Sequence, residues 1–312
     1  MGSEFGARST TEDVLEGVDL TGRRAVVTGA TSGLGLETAR ALASRGAEVV
    51  ILGRSEEKLA AAERHLAEQD VTGAVRTSTL DLDDLDNVRA SADTLLSRFD
   101  AIDILVNNAG VMVCPYGTTA QGFETQFGTN HLGHFLFTCR LAPALVAGAP
   151  CRVINLASSG HRAAPLDFDD PNFQKRPYEK WSAYGGSKTA NVLFTVALDA
   201  RLKSKGVRAL AVHPGMIATD LGRHLTGEDM SMFAEPPERF KTIPRGAATT
   251  VWAATSPELQ DVGGVYLADC QIAEVNDTDD PARGVKSYAI SPEDAERLWH
   301  LSETLVGETF DL

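Results

Sequence analysis

Tyr184 and Lys188, in the run WSAYGGSK, are the residues of this chain whose types and spacing most clearly point to chemistry. A separation of four places both side chains on one face of a helix. An ammonium held beside a phenol favours the phenolate and lowers a pKa that is otherwise about 10, which makes the phenol a usable acid and base near neutrality. The same spacing also occurs in exposed helical pairs with no function. A second feature changes that balance: the glycine-rich run TGATSGLG, Thr28 to Gly35.

In that run Gly29, Gly33 and Gly35 surround Ser32 and Leu34. The preceding RRAVV has the composition of a buried strand, and LETARALASRG after it has helical periodicity ending on glycine. Strand, glycine turn and helix form the setting in which backbone N–H groups at a helix N-terminus receive a pyrophosphate. The spacing is G-x-x-x-G-x-G rather than G-x-G-x-x-G, and no Gly-Lys-Ser/Thr of a nucleotide P-loop follows. Three glycines between a strand and a helix favour a dinucleotide site over a plain turn.

The elements that position these residues alternate strand and helix. Strands are predicted at RRAVV, AEVVIL, AVRTSTL, IDILV, CRVINLA, VRALAVH and GGVYLA. Helices are predicted after the glycine turn, at SEEKLAAAERHLAEQ, and over 84–99, 123–145, the Tyr184 region, 245–255 and 292–305. This order implies a parallel sheet covered on both faces, with right-handed crossovers. With 312 residues, 43% of them hydrophobic, the chain can bury one sizeable core, so a single domain is expected over 20–312. Residues 1–19 are expected as a tail, the opening MGSEFGARST being loose chain or residue left by expression. No apolar run has the length of a membrane span and no secretory pattern opens the sequence. The net charge of −14 disfavours nucleic acid and anionic membrane as partners. Cys114, Cys139, Cys151 and Cys270 lack metal-site spacing and suit a reducing cytoplasm as small core residues.

Taken in order, the motifs resemble the short-chain dehydrogenase/reductase family, from about Arg23 to about Tyr266. They are the glycine turn, NNAG (Asn107 to Gly110), Asn130 in FGTNHLGHF, Ser158 in RVINLASSGH, the Tyr184/Lys188 pair and HPGMIATD (His213 to Asp220). The run NHLGHFLFT and the long stretch between Ser158 and Tyr184 look most like the retinol-dehydrogenase-like branch. The resemblance implies an α/β fold with a Rossmann-type, doubly wound parallel sheet of about seven strands, ordered 3-2-1-4-5-6-7. It implies that Tyr184 exchanges a proton with a carbonyl or alcohol oxygen, that Lys188 lowers the Tyr184 pKa and binds the nicotinamide ribose, and that Ser158 holds the substrate oxygen. Ser159 is the neighbouring candidate; alignment on Asn155 and His161 favours Ser158. Asn130 would kink its helix and hold a water leading to Lys188. Asn107, Ala109 and Gly110 would line the cofactor, with NNAG also stabilising the sheet, and Pro214, Gly215, Ile217 and Thr219 would cover the nicotinamide.

Cofactor preference turns on the end of the second strand. Where NAD-preferring folds carry an acid, this chain has Gly53 followed by Arg54. A missing carboxylate and an added guanidinium suit a 2′-phosphate, so NADP(H) is expected over NAD(H), the alternative for Arg54 being a solvated loop cation. Ser32 adds a hydroxyl. Asp81 would meet the adenine edge or serve as a helix N-cap.

The remaining features have plainer readings. His131 and His134 lack a third ligand, so they read as packing residues, and no metal is expected. His161 reads as a loop histidine. Asp277, Asp279 and Asp280 lack calcium-loop spacing. The G-x-S-x-G elbow of a hydrolase is absent. The segment 220–244, with Leu225, Met230, Met232 and Phe233, is expected as a lid over a lipophilic ketone, aldehyde or secondary alcohol, and Arg162 to Lys180 as another wall. Both could instead make packing or oligomer contacts, a dimer or tetramer being compatible with the chain. The stretch after Asp269 either packs over the sheet edge or reaches a neighbouring subunit. Rival readings are an epimerase or dehydratase, for which the chain after Tyr184 is short, and a non-catalytic NADP(H)-binding sensor.

Overall fold

The computed structural model describes residues 3–232, 240–278 and 284–312. Eight strands form one sheet: β1 (Arg24–Thr28), β2 (Glu48–Gly53), β3 (Val75–Thr79), β4 (Ile104–Asn107), β5 (Cys151–Leu156), β6 (Val207–His213), β7 (Val265–Ala268) and β8 (Gln271–Ile272). Their order is β3-β2-β1-β4-β5-β6-β7-β8. The first seven are parallel, as the alternation and the resemblance imply, and β8 adds an antiparallel edge.

The sequence did not reveal β8 because its turn is made from unusual residues. Asp269 and Cys270 both have positive φ, 54° and 55°, as a two-residue hairpin turn requires. Glycine or asparagine normally marks such a turn. Here burial of Cys270, whose N–H donates to Thr249 Oγ1 at 3.1 Å, holds the second position instead.

The central strands are apolar on both faces, so successive residues enter opposite layers. Val26, Val50, Leu52, Leu105 and Val153 face one layer, while Val27, Val49, Ile51, Val106 and Ile154 face the other. In chain order the helices are α1 (Thr11–Val14), α2 (Gly33–Ala43), α3 (Glu56–Ala67), α4 (Leu85–Arg98), α5 (Thr125–Phe127), α6 (Gly133–Ala147), α7 (Lys180–Leu202), α8 (Gly227–Met232), α9 (Ile243–Thr255) and α10 (Pro292–Val306). The first layer is α4, α6, α7 and α10; the second is α2, α3 and α9. Each fully buried Val, Leu or Ile contributes about 1.5–3 kcal/mol.

Part of the segment expected as a tail is folded. Thr10 and Asp13 form a reciprocal capping box around α1. Val14 and Leu15 are buried in the second layer, and Thr11 Oγ1 donates to Glu37 at 2.5 Å. Within the described residues no helix is long and apolar enough to cross a membrane.

Candidate active site

The site lies at the carboxyl ends of β1, β4, β5 and β6, where the order β2-β1-β4 reverses the winding of the sheet; such a switch point opens a crevice. β1 ends at Thr28. Gly29 follows with φ 64° and Gly33 opens α2 with φ 56°, both in the left-handed region. A Cβ on Gly29 would stand 2.8 Å from Ala109 Cα, and one on Gly35 would stand 2.5 Å from both Asn108 Nδ2 and the Gly29 carbonyl. The turn is therefore shaped by close backbone approach. Ser32, at the N-cap of α2, makes no side-chain capping bond, and the first-turn amides of α2 have no partner within the helix. A pyrophosphate fits these donors.

Thr28 ties the turn to the rest of the site. Its Oγ1 accepts from the N–H groups of Asn108 (2.9 Å) and Ala109 (3.0 Å) and lies 2.9 Å from His134 Nε2. His134 Nδ1 is 3.0 Å from the Asn130 carbonyl. That oxygen can only accept, so Nδ1 carries the proton and Nε2 accepts from the Thr28 hydroxyl. Burial pushes His134 down to about 4, which keeps the ring neutral. Asn108 also donates through Nδ2 to the Thr28 carbonyl at 2.8 Å. Asn107, its neighbour, spends its side-chain amide on Thr138 and Asn155, each at 2.8 Å, and so holds the sheet together. Neither Thr28 nor Asn108 was singled out by the sequence reading, although NNAG contains the second.

At the far end of the crevice Gly53 closes β2. Arg54 Nη1 pairs with Asp83 Oδ2 at 3.0 Å, and the guanidinium side chain is 61% exposed. The cation is thus neither free in solvent nor buried. Such a surface pair contributes about 0–1 kcal/mol and yields readily to a stronger anion. Asp83 is fixed in turn by the Thr129 hydroxyl, and its N–H donates to Asp81 Oδ1 at 3.1 Å. The N-cap alternative for Asp81 is corrected: the cap of α4 is Asp84, which accepts from the Asp86 N–H at 3.0 Å. Asp81 organises the turn before it.

Ser158, Tyr184 and Lys188 meet beyond β5. Leu156 ends that strand, and Ser158 caps a 3₁₀ turn over Ser159–Ala163, accepting from the Gly160 N–H at 3.0 Å. Tyr184 and Lys188 are buried on α7, and Tyr184 and Ser158 meet across Gly160, where a Cβ would stand 2.6 Å from Tyr184 Cε1 and 3.3 Å from Ser158 Oγ. The neighbouring Ser159 instead donates its backbone N–H to His213 Nδ1 at 3.2 Å. Lys188 Nζ lies 5.8 Å from the Tyr184 ring centroid. The structure overturns one expectation here. Burial pushes Tyr184 up to about 12, with Ser158 only partly opposing it, and burial pushes Lys188 down to about 8. Desolvation outweighs attraction between two groups this far from water. Near neutrality the phenol is therefore protonated and able to donate.

Asn130 sits in a π-helical turn, Gly128–Leu132, between α5 and α6, which provides the expected break in the helix. Its side chain accepts from the Val111 N–H at 2.8 Å and donates to the Val111 carbonyl and Ser187 Oγ, each at 2.9 Å. The backbone carbonyl is therefore what it presents to other groups. Gly110 lies against this cluster, since a Cβ there would be 3.1 Å from Asn130 Oδ1 and 3.7 Å from Lys188 Nζ. His131 packs among Phe127, Phe135 and Phe194 and pairs through Nε2 with Ser302 Oγ at 2.8 Å.

The loop after β6 folds back over the glycine turn. Ile217 and Leu34 both abut Gly246 of α9, and the Thr219 methyl is 3.6 Å from where a Gly33 Cβ would stand. Gly215 takes φ 95° beneath Lys241. Pro214 precedes it, directly after β6, and Met216 bridges to Phe240. Of the proposed lid, 233–239, including Phe233, lie outside the described residues, as do the side chains of Met230 and Met232. The described part is anchored by Asp229, which pairs with Lys180, accepts from Trp181 Nε1 at 3.0 Å and accepts from the Thr226 N–H at 2.7 Å. The described part of this segment and α7 thereby share a joint at the start of that helix. Asp279 and Asp280 also lie outside the described residues. His161 is buried rather than displayed on a loop. All four cysteines are buried and free.

Comparison with known proteins gives a consistent result. The profile of the family described as short chain dehydrogenase matches residues 23–229. A "Probable oxidoreductase" of Streptomyces lividans is 45% identical, covering 90% of this chain and 97% of that protein. Human retinol dehydrogenase 13 is 39% identical, covering 98% and 93%. Among solved structures, an uncharacterized protein from Mycobacterium paratuberculosis superposes with a TM-score of 0.76 at 35% identity, covering 98% of this chain and all of that one. The Pseudomonas aeruginosa RhlG/NADP active-site complex superposes with a TM-score of 0.66 at 25% identity, covering 80% and 95%.

Proposed function

The chain belongs to the short-chain dehydrogenase/reductase family, whose members are NAD(P)-dependent oxidoreductases, and from that premise we propose that it moves hydride between NADP(H) and a lipophilic ketone, aldehyde or secondary alcohol. The observation that carries this reading is the meeting of half-buried Ser158 with buried Tyr184 and Lys188, Ser158 and Tyr184 both lying against Gly160 and Lys188 against Gly110.

NADP(H), when bound, supplies or takes up the hydride. The chain's own residues manage the oxygen and one proton. Ser158 and Tyr184 both direct hydroxyl donors at the substrate oxygen, polarising the carbonyl, and Tyr184 gives up its proton as charge develops there. Lys188 supplies positive charge that favours the resulting phenolate. In the oxidative direction Tyr184 removes the alcohol proton.

Preference for NADP(H) is supported by Gly53 standing where a carboxylate would repel a 2′-phosphate and by Arg54 directly after it. The Arg54–Asp83 pair keeps the guanidinium at the rim through one nitrogen, with its other donors available to a dianion. A lipophilic substrate is supported by the similarity to retinol dehydrogenases. The test is fluorescence titration with NADPH and NADH. NADPH is expected to bind more tightly, and Arg54→Ala to weaken it about tenfold to a hundredfold while leaving NADH unchanged. Equal loss for both cofactors, or tighter NADH binding to the unsubstituted protein, would remove Arg54 from phosphate recognition.

A further inference from the structure

His161 stands between the loop of Ser158 and the C-terminal part of the chain. Its Nδ1 is 2.7 Å from the Ser158 carbonyl, and its Nε2 is 3.2 Å from the backbone nitrogen of Lys286. A carbonyl only accepts and an amide N–H only donates, so the proton is on Nδ1 and Nε2 is the acceptor. The ring is fully buried with Tyr266 of β7 against it, centroids 5.0 Å apart. The His161 carbonyl is held as well, accepting from Tyr288 Oη at 2.6 Å and Thr189 Oγ1 at 3.2 Å.

The loop so fixed has almost no room to move. A Cβ on Gly160 would lie 2.6 Å from Tyr184 Cε1, so this backbone runs directly against the phenol. A shift of the loop displaces the Ser158 hydroxyl and presses on Tyr184 at once. We infer that His161 is a positioning residue for the Ser158–Tyr184 pair, and that the Lys286 N–H holds it in the one tautomer able to do so. The segment after Asp269 is in this way part of the site's support. The inference rests on the oxidoreductase reading above.

Lys286 permits a test at a single backbone donor. Its φ of −70° is one that proline adopts, so Lys286→Pro removes the N–H without strain at φ. Lys286→Ala keeps the N–H but loses the side-chain bonds to the Asp277 and Thr278 carbonyls, and so serves as the baseline. Turnover is measured with NADPH and a panel of 4-nitrobenzaldehyde, decanal and 4-phenyl-2-butanone, with NADPH affinity measured alongside. Relative to Lys286→Ala, Lys286→Pro is expected to lower kcat about tenfold or more with NADPH affinity unchanged. His161→Asn, which retains a donor near Nδ1, is expected to exceed His161→Leu in kcat by a similar factor. Equal kcat in both pairs, with the unsubstituted protein active, would overturn the role of His161 alone. Tight NADPH binding with no turnover by the unsubstituted protein on any panel member would overturn the oxidoreductase reading, and this inference with it.

Discussion

Lys188 donates from Nζ to the carbonyl of Leu156 at 2.9 Å, and that oxygen also accepts from Asn191 Nδ2 at 3.0 Å. Leu156 is the last residue of β5, two positions before Ser158. The lysine is therefore fastened to the end of the strand that leads into Ser158, and one helix and one strand hold Ser158, Tyr184 and Lys188 in a common frame.

Within that frame the phenol oxygen is replaceable in shape but not in chemistry. Tyr184→Phe should bind NADPH as the unsubstituted protein does and lose about 10²- to 10⁴-fold in turnover. Steady-state kinetics beside a fluorescence titration would check this, and undiminished turnover would remove Tyr184 as the proton donor.

Burial of Lys188 has a consequence for stability. Unfolded, it titrates near 10.5; folded, it titrates at about 8. Between those values the unfolded chain binds the additional proton, so stability rises with pH across that window. For Tyr184, ordinarily 10.0 and here pushed up to about 12, the folded chain holds the proton longer, so stability falls as pH passes from 10 to 12. Lys188→Met abolishes the first effect, a change on the order of 3 kcal/mol from below the window to above it. Urea denaturation of both proteins from pH 7.5 to 10 should show the unsubstituted protein gaining on the variant. Parallel profiles would mean that Lys188 is not desolvated.

The glycine turn makes a steric prediction. Gly35→Ala puts a methyl 2.5 Å from a backbone carbonyl and from Asn108 Nδ2, which cannot yield without opening the turn. A loss of about 1–3 kcal/mol in stability is expected, with NADPH affinity reduced as well. Thermal melting with and without NADPH would report both. Unaltered NADPH protection would show that the turn does not form the cofactor site.

Asp229 predicts a separation of kinetic effects. Hydrogen bonding to Lys180 and Thr226 holds its carboxyl well below the usual carboxylate range, so the joint persists at neutral pH and is lost only as strong acid protonates it. Asp229→Asn should raise KM for the carbonyl substrate by roughly three- to tenfold without altering NADPH affinity. A change confined to NADPH affinity would place Asp229 outside the substrate side of the crevice.

Seven of the strands, the glycine turn and the pair Tyr184 and Lys188 were legible in the sequence because each is marked locally, while the strand order came with the family resemblance. Apolar runs mark the strands, three glycines mark the turn, and a spacing of four marks Tyr184 and Lys188. The missing parts are long-range. Arg54 meets Asp83 across 29 positions and His161 meets Lys286 across 125, and no periodicity carries such pairings. The sign of the Tyr184 shift was misjudged for a related reason. The attraction of a neighbouring lysine can be read from spacing, whereas the depth to which the whole fold buries both groups cannot. The break at Asn130, by contrast, was implied by the family resemblance, since the run itself, rich in Phe, Leu and His, has unbroken helical character.

The contacts of Lys286 and Tyr288 with His161 also bear on how the chain matures during synthesis. Strands β1 to β6 and the glycine turn have been made once residue 213 is in place, so the sheet can begin to assemble while translation continues. The partners that fix the Ser158 loop emerge more than seventy residues later. The Ser158 loop is thus synthesised well before the residues that hold it, and its final arrangement waits on the C-terminal part of the chain.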